Sequence, residues 1–165
     1  ATTEMDKLFA PFKDRLTIVD FKPYTVDELS QIIDLVCGEI EFEDGLLQEI
    51  AETTRGNARS AVKRSKEIML YCEAKADKDY SKKDWKSMSH TLGIKPMGLS
   101  NIEVEILTIL KERGNCSLQM LSAVTGMSRT AIQKEAELYL LKRGLVKIDG
   151  QRELSGKGAN ILQKI

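Results

Sequence analysis

The sequence predicts a mainly α-helical protein in which a four-helix unit is followed by a second helical unit that ends in a small β-hairpin. Three observations support this prediction. Between residues 25 and 92, apolar residues recur at helical spacing behind capping motifs. After Gly98 the pattern restarts with three more helices. Asp149-Gly150 then separates two short segments, which is typical of a hairpin turn.

The composition excludes several classes of protein. Of 165 residues, 42% are hydrophobic, which is enough for a core, and 25 basic residues balance 25 acidic ones. No apolar run approaches the roughly 20 residues that span a bilayer, and the N-terminus does not resemble a signal peptide. The three cysteines are odd in number and too far apart for a disulfide framework or a metal site. We therefore expect a cytoplasmic, reduced protein with no membrane partner.

The N-terminal segment differs from the rest of the chain. It begins at Ala1 without a Met, so we expect a piece of a longer protein. Residues 16–19 are rich in β-branched side chains, which predicts a short strand that ends before Pro23.

The four-helix unit follows from Thr25, where Thr25 and Glu28 have the spacing of a capping box. Ser81 begins another capped helix, and residues 75–83 are polar enough to form a surface loop. The predicted helices cover residues 25–38, 43–54, 57–76 and 81–92.

The second unit begins after a segment, residues 93–100, that contains Pro96 and Gly98 and is predicted to be a linker. Helices are then predicted over residues 101–113, 118–125 and 128–143, followed by the hairpin and a short final helix. Helix, helix–turn–helix and hairpin, in this order, are typical of a winged helix.

The charge is distributed unevenly. Residues 1–95 carry 15 basic and 18 acidic side chains, whereas residues 96–165 carry 10 and 7. A basic face that contacts phosphates is therefore expected in the winged unit. Candidates for DNA contact are Arg129, near the start of the third helix, and Lys147 and Arg152, which flank the hairpin tip. Glu135 and Glu137 on the same helix suit a DNA groove poorly, so a winged helix used for protein contacts stays open.

Other features favour ordinary structural roles. His90 is the single histidine, and without a suitably spaced partner it supports neither a catalytic triad nor a metal centre. The acidic residues over 39–44 indicate a solvated loop. Arg59 stands in the first turn of a helix, where a cation opposes the helix dipole unless an anion is bound, which hints at a phosphate nearby.

Several short motifs occur together, in one order along nearly the whole chain. They are Ala1–Thr3, Leu8–Leu16, Tyr24–Leu29, Arg55–Arg59, Leu138–Leu141 and Gly144–Val146. In this combination the chain resembles the RuvB family, AAA+ motors that drive branch migration of Holliday junctions.

The resemblance implies a division of the chain into three parts. Residues 1–24 would be the remnant of an AAA+ nucleotide-binding domain, residues 25–94 the helical lid, and residues 95–165 a winged-helix DNA-binding domain. The Gly-rich phosphate loop and the acidic metal-binding motif are not present in this sequence. The full-length protein would thus be an ATPase that uses ATP and Mg²⁺, whereas this chain alone would bind neither and be inactive.

The resemblance also assigns roles to individual residues. Thr3 falls at the first sensor of the nucleotide, and Arg15 falls on the arginine finger, which acts in trans on the neighbouring subunit's nucleotide. Tyr24 matches an aromatic residue near the adenine, and Arg59 matches the second sensor on the lid. On the wing, Arg152 and Lys147 match basic residues that contact DNA.

The implied partners are duplex or four-way junction DNA, further copies in a homo-oligomeric ring such as a hexamer, and a junction-binding RuvA-like protein. The chain departs from the family where Asn57-Ala58 replaces the usual Thr-Pro before Arg59. Three alternatives stay open: a replication initiator or loader ATPase, a winged-helix regulator without ATPase activity, and an adaptor that binds neither ATP nor DNA.

Overall fold

The computed structural model of the chain describes residues 7–165. We refer to residues 25–94 as the lid unit and to residues 95–165 as the winged unit. After a short helix α1 (Ala10–Lys13), the lid unit contains four helices and two very short strands. Their bounds are α2 (Val26–Cys37), β1 (Glu41–Phe42), α3 (Leu46–Glu52), α4 (Ala58–Lys75), β2 (Asp79–Tyr80) and α5 (Lys82–Thr91).

Local capping explains where the lid helices begin. Thr25 and Glu28 form the predicted capping box: the amide of Glu28 donates to Thr25 Oγ1 and the amide of Thr25 donates to Glu28 Oε2. Ser81 and Asp84 form another at α5. The apolar faces of the four helices then bury a common core. Its largest side chains, all fully buried, are Leu29, Ile33, Leu46, Ile50, Ile68 and Tyr80.

Two segments predicted as loops pair with each other. β1 and β2 form a parallel pair in which Phe42 lies opposite Tyr80. Tyr80 is 1% exposed, and its ring meets those of Phe42 and Tyr71 edge-on at 5.7 and 5.8 Å. This aromatic contact joins residues nearly 40 positions apart, so no local pattern indicated it.

The strand predicted over residues 16–19 does not form. Residues 17–25 have no regular secondary structure, and Leu16, Ile18 and Val19 are exposed. A strand needs a neighbour for its backbone hydrogen bonds, and the described part of the chain offers none beside this segment.

The winged unit has the predicted order of elements. It contains α6 (Asn101–Arg113), α7 (Leu118–Thr125), one long helix, a hairpin of β3 (Val146–Asp149) and β4 (Gln151–Leu154), and α10 (Gly156–Leu162). The hairpin is antiparallel, with Lys147 opposite Glu153 and Ile148 opposite Arg152. Backbone hydrogen bonds in both directions between Cys116 and Arg152, of 3.0 and 2.9 Å, add a third, one-residue strand. The predicted fold class, a mainly α-helical protein with a winged helix, is thereby confirmed.

The long helix changes its winding midway. It consists of α8 (Arg129–Ala131), a π-helical segment (Ile132–Glu137) and α9 (Leu138–Lys142). Ile132, Ala136 and Leu140 are all buried at intervals of four residues. Residues four positions apart lie on one face of a helix, so these three face the core. Glu137, in the π-helical segment, is also buried.

The segment predicted as a linker is packed rather than free. A 3₁₀ turn (Pro96–Gly98) joins the two units, and Met97 and Leu99 on it are buried. Gly98 has φ +67°, and a Cβ placed there would lie 2.2 Å from the carbonyl oxygen of Thr53. The turn therefore rests directly on the end of α3, and only glycine allows this approach.

Among residues 7–165, no helix has the length and apolar character needed to cross a membrane.

Asp84 is a buried carboxylate in the lid unit, and its protonation should lower the free energy of unfolding. It accepts hydrogen bonds from Lys75 Nζ at 2.7 Å, Ser81 Oγ at 2.6 Å and Tyr71 Oη at 3.1 Å. The bond from Lys75, followed by that from Ser81, holds the pKa of Asp84 well below its usual range. The folded state is therefore favoured above the unfolded pKa of about 3.9, and this contribution is lost as the pH falls through the lower folded pKa.

We expect Asp84→Asn to lower the free energy of unfolding by about 1 to 3 kcal/mol at pH 7. In urea titrations repeated from pH 7 to about pH 2, the difference from the parent chain should stay constant down to about pH 4 and shrink below it. Asp34→Asn, which changes an exposed carboxylate on α2, is the matched control. A difference that stays constant with pH would contradict the role given to Asp84.

Candidate functional site

The turn between α3 and α4, residues 53–57, lies beside the two candidates for nucleotide contact in the lid unit, Tyr24 and Arg59. The carbonyl of Gly56 accepts a hydrogen bond of 3.2 Å from the amide of Tyr24. Gly56 has φ +80°, and the Cβ of Pro23 lies against it. The segment before α2, which forms no strand, is thus held at this turn by a backbone hydrogen bond. Tyr24 and Arg59 therefore lie at the same end of the lid unit.

Asn57 orients the first turn of α4. Its Oδ1 accepts hydrogen bonds from the amides of Arg59 at 2.9 Å and Ser60 at 3.3 Å. Asparagine is among the strongest N-cap residues. The replacement of the family's Thr-Pro by Asn57-Ala58 therefore preserves a capped helix start. The Arg59 side chain is exposed and has no ion pair within the described part of the chain.

Arg15 and Tyr24 are exposed in this structure. Arg15 follows α1, and its guanidinium has no bonded partner among residues 7–165. Tyr24 is 48% exposed. Thr3, expected to be the first sensor, lies outside the described residues. The structure places Tyr24 and Arg59 beside the same turn, while Arg15 is a free cation on a separate segment.

The wing does not present Arg152 as a free cation. Arg152 Nη2 donates to both carboxylate oxygens of Glu137, at 3.0 and 3.2 Å. The side chains are only 13% and 10% exposed. Glu137, which suited a DNA groove poorly in the sequence, is the internal partner that binds the wing to the long helix. Contact between Arg152 and a phosphate would have to displace Glu137, and it stays a prediction.

Two other DNA-side candidates are available to a ligand. Lys147 lies on the outer part of β3 and Arg129 at the start of α8, and both are exposed. Neither side chain forms a hydrogen bond or ion pair within residues 7–165. Exposed cations without an internal partner are those that phosphates attract most readily.

No pattern in the sequence indicated the contact that joins the two units. Arg55, in the α3–α4 turn, forms a bidentate ion pair with Glu103 of α6, with nitrogen–oxygen distances of 2.7 and 3.3 Å. Its guanidinium carbon lies 3.5 Å from the centre of the Tyr139 ring. Glu103 was visible only as the third residue after Ser100, which predicts a cap and not an interdomain pair.

Comparison with known proteins agrees with this arrangement. The family model described as the RuvB C-terminal winged helix domain matches residues 96–163. The Holliday junction branch migration complex subunit RuvB of the Wolbachia strain from Brugia malayi is 32% identical over 151 residues, which cover 89% of this chain. The subunit of the same name from Campylobacter hominis is 28% identical over 170 residues and covers 98% of the chain.

Residues 96–163 thus match the RuvB winged-helix family, and the chain is similar to RuvB subunits over most of its own length. The solved structure of the Thermotoga maritima RuvB Holliday junction branch migration motor matches 94% of it with a TM-score of 0.71 at 25% identity. That match crosses both the lid unit and the winged unit. The chain spans about half the length of its relatives: 46% of the Wolbachia protein, 49% of the Campylobacter protein and 55% of the Thermotoga chain.

The Arg152–Glu137 pair generates a stability prediction. Arg152→Ala should lower the free energy of unfolding of the winged unit by about 3 kcal/mol or more, because it leaves a buried carboxylate without a cation. Replacing both residues, as Arg152→Leu with Glu137→Leu, should recover most of this loss. Chemical denaturation monitored on the winged unit measures both effects.

Lys147→Ala is the control, because it removes an exposed charge from the neighbouring strand and should change stability by less than about 0.5 kcal/mol. If Arg152→Ala were as stable as Lys147→Ala, the pair would not hold the wing.

Proposed function

We propose that this chain forms the lid and the DNA-contacting part of a RuvB-type motor that uses ATP and Mg²⁺ to move four-way junction DNA through a ring of subunits. The observation that carries this proposal is the continuous structural match to a branch migration motor across both units. A regulator or adaptor with a winged helix would need to match only residues 96–163. The proposed setting is recombination and repair of DNA in the bacterial cytoplasm.

Within this proposal, the lid unit senses the nucleotide. Tyr24 contacts the adenine side, and Arg59, at the capped end of α4, reaches the phosphates of the same subunit. The positive end of a helix adds to the attraction of an anion there. Arg15 acts on the nucleotide of the neighbouring subunit and stabilises charge on the phosphoryl group as it is transferred. Thr3 serves as the first sensor.

In the same proposal, the winged unit binds the DNA backbone. Lys147 on the wing and Arg129 at the start of the long helix are free cations on the basic half of the chain. Phosphate contacts fix the position of a protein on duplex DNA but carry no base sequence. Such a grip suits a motor that passes over any sequence, and it leaves recognition of the junction to a RuvA-like partner.

DNA binding is tested directly with this chain. We expect salt-sensitive binding to linear duplex and to four-way junction DNA, with little preference between them. Lys147→Gln and Arg129→Gln should each weaken binding to both. Each should also reduce the magnitude of the slope of log affinity against log salt by about one. Fluorescence anisotropy at several salt concentrations provides both quantities.

Lys66→Gln, which removes an exposed cation from α4 of the lid unit, is the matched control and should bind as the parent chain does. Absence of binding to both DNAs at low salt would overturn the DNA-contacting role of the winged unit.

The roles of Arg15 and Arg59 are tested in a chain joined to a RuvB nucleotide-binding domain. Arg15→Ala and Arg59→Ala should each abolish most ATP turnover, since loss of an arginine finger costs on the order of a thousand-fold in rate. Mixing the two variants should restore part of the turnover. Some sites then combine the intact Arg59 of one subunit with the intact Arg15 of its neighbour.

Restoration on mixing is specific to one residue acting in cis and the other in trans. If the mixed sample is as inactive as either variant, the trans assignment of Arg15 is wrong. Lys13→Ala, on the same segment, is the control for nonspecific damage near Arg15.

A further inference from the structure

Two residues other than glycine have left-handed backbone conformations where the lid unit meets the winged unit. Arg55 has φ 58° and Met97 has φ 56°. Side chains other than glycine disfavour this conformation. It persists only where the surroundings hold it, and it concentrates at sites with a mechanical or functional role. The third such residue in the described chain, Ala76, ends α4, where left-handed residues are common.

The surroundings of Arg55 are well defined. Its two terminal nitrogens meet the two oxygens of Glu103, whose side chain is 0% exposed. Glu103 Oε2 also accepts the amide of Ser100 at 2.7 Å, so the carboxylate is fixed on α6 independently of the lid unit. Arg55 is the cation that this buried carboxylate faces, because Glu103 has no other basic partner among residues 7–165.

Tyr139 closes the contact from the winged side. The Arg55 guanidinium stacks on its ring at 3.5 Å, a geometry of strong cation–π attraction. The hydroxyl of Tyr139 donates to the carbonyl of Met97 at 2.6 Å, which fixes the turn between the units. Burial raises the pKa of Tyr139, with Arg143 and then Arg55 opposing that shift. One tyrosine thus contacts both residues with left-handed backbone.

Two further contacts limit hinge motion at this place. Gly98 packs on the carbonyl of Thr53, as described above. Arg143 Nη2, on the end of the long helix, lies 3.6 Å from Glu52 Oε1 on the end of α3. These contacts restrict the reorientation of the two units at the turn over residues 96–98.

The same turn continues directly to the nucleotide-side residues. Arg55 contacts the winged unit, Gly56 accepts the amide of Tyr24, and Asn57 caps α4 below Arg59. Three consecutive residues thus contact the winged unit, the segment that contains Tyr24 and the first turn of α4, which contains Arg59. A displacement of one end of such a short, hydrogen-bonded turn is passed to the other end.

We propose that Arg55 and Glu103 are positioning residues that make the lid unit and the winged unit one rigid body, so that nucleotide-driven rotation of the lid carries the DNA grip with it. This inference rests on the proposed function for its consequence, but the rigid body itself is a property of this chain alone. It predicts that the two units tumble together in solution and that loss of the Arg55 cation uncouples them.

The experiment is ¹⁵N relaxation on the isotope-labelled 165-residue chain, with rotational correlation times obtained separately for the lid unit and the winged unit. The parent chain should give one common value. In Arg55→Ala, both values should fall toward those of bodies of about half the mass. Glu103→Gln keeps the capping acceptor but removes the charge, so it should show the same change. Arg55→Lys, which keeps the charge without the two-pronged contact, should lie between.

Arg59→Ala is the matched control, because it removes an arginine four residues away that does not touch the winged unit within the described chain. Well-dispersed amide spectra of both units show that each variant is folded. Different correlation times for the two units of the parent chain would overturn the proposal, and so would a common value retained by Arg55→Ala. The sample contains neither ATP nor DNA, so failure here differs from failure of DNA binding.

Discussion

The buried carboxylate of Glu103 constrains the whole arrangement, because a charge without access to water needs a cation and hydrogen bonds to offset its lost hydration. The winged unit supplies the hydrogen bond from the Ser100 amide but no cation. The lid unit supplies Arg55, whose backbone is left-handed in the α3–α4 turn. The shape of that turn, and with it the placement of Tyr24 and Arg59, therefore depends on an interaction with another part of the chain.

The wing contains a second nearly buried carboxylate that is paired with an arginine. Arg152 and Glu137 form a nearly buried ion pair, in which Nη2 of the arginine donates to both carboxylate oxygens, and this pair holds the hairpin against the long helix. Glu137 lies in the π-helical segment and is buried where it meets the arginine. A residue that resembles a DNA contact by its position in the sequence is thus used inside the protein. The side chains left for phosphates are those without an internal partner, such as Lys147 and Arg129.

The sequence predicted what depends on neighbours along the chain. The capping motifs at Thr25 and Ser81 and the Asp149-Gly150 turn determine local backbone geometry, and each occurs where expected. The pairing of β1 with β2, the packed turn at Pro96–Gly98 and the Arg55–Glu103 pair join residues tens of positions apart, and one sequence contains no local signal for them. The strand over residues 16–19 failed for a related reason, since strand propensity alone does not provide a partner strand.

In the proposed motor, DNA contact depends on the charges of the winged unit and not on the neutral net charge of the whole chain. Of the ten basic side chains over residues 96–165, only Arg143 and Arg152 form ion pairs within residues 7–165, so the other cations are available for the proposed phosphate contacts. A ring of copies around one duplex multiplies such contacts, because each bound subunit raises the effective concentration of DNA at the next. Individual subunits can then release and rebind in turn while the ring stays engaged. Strong binding by every wing would instead oppose each step along the DNA.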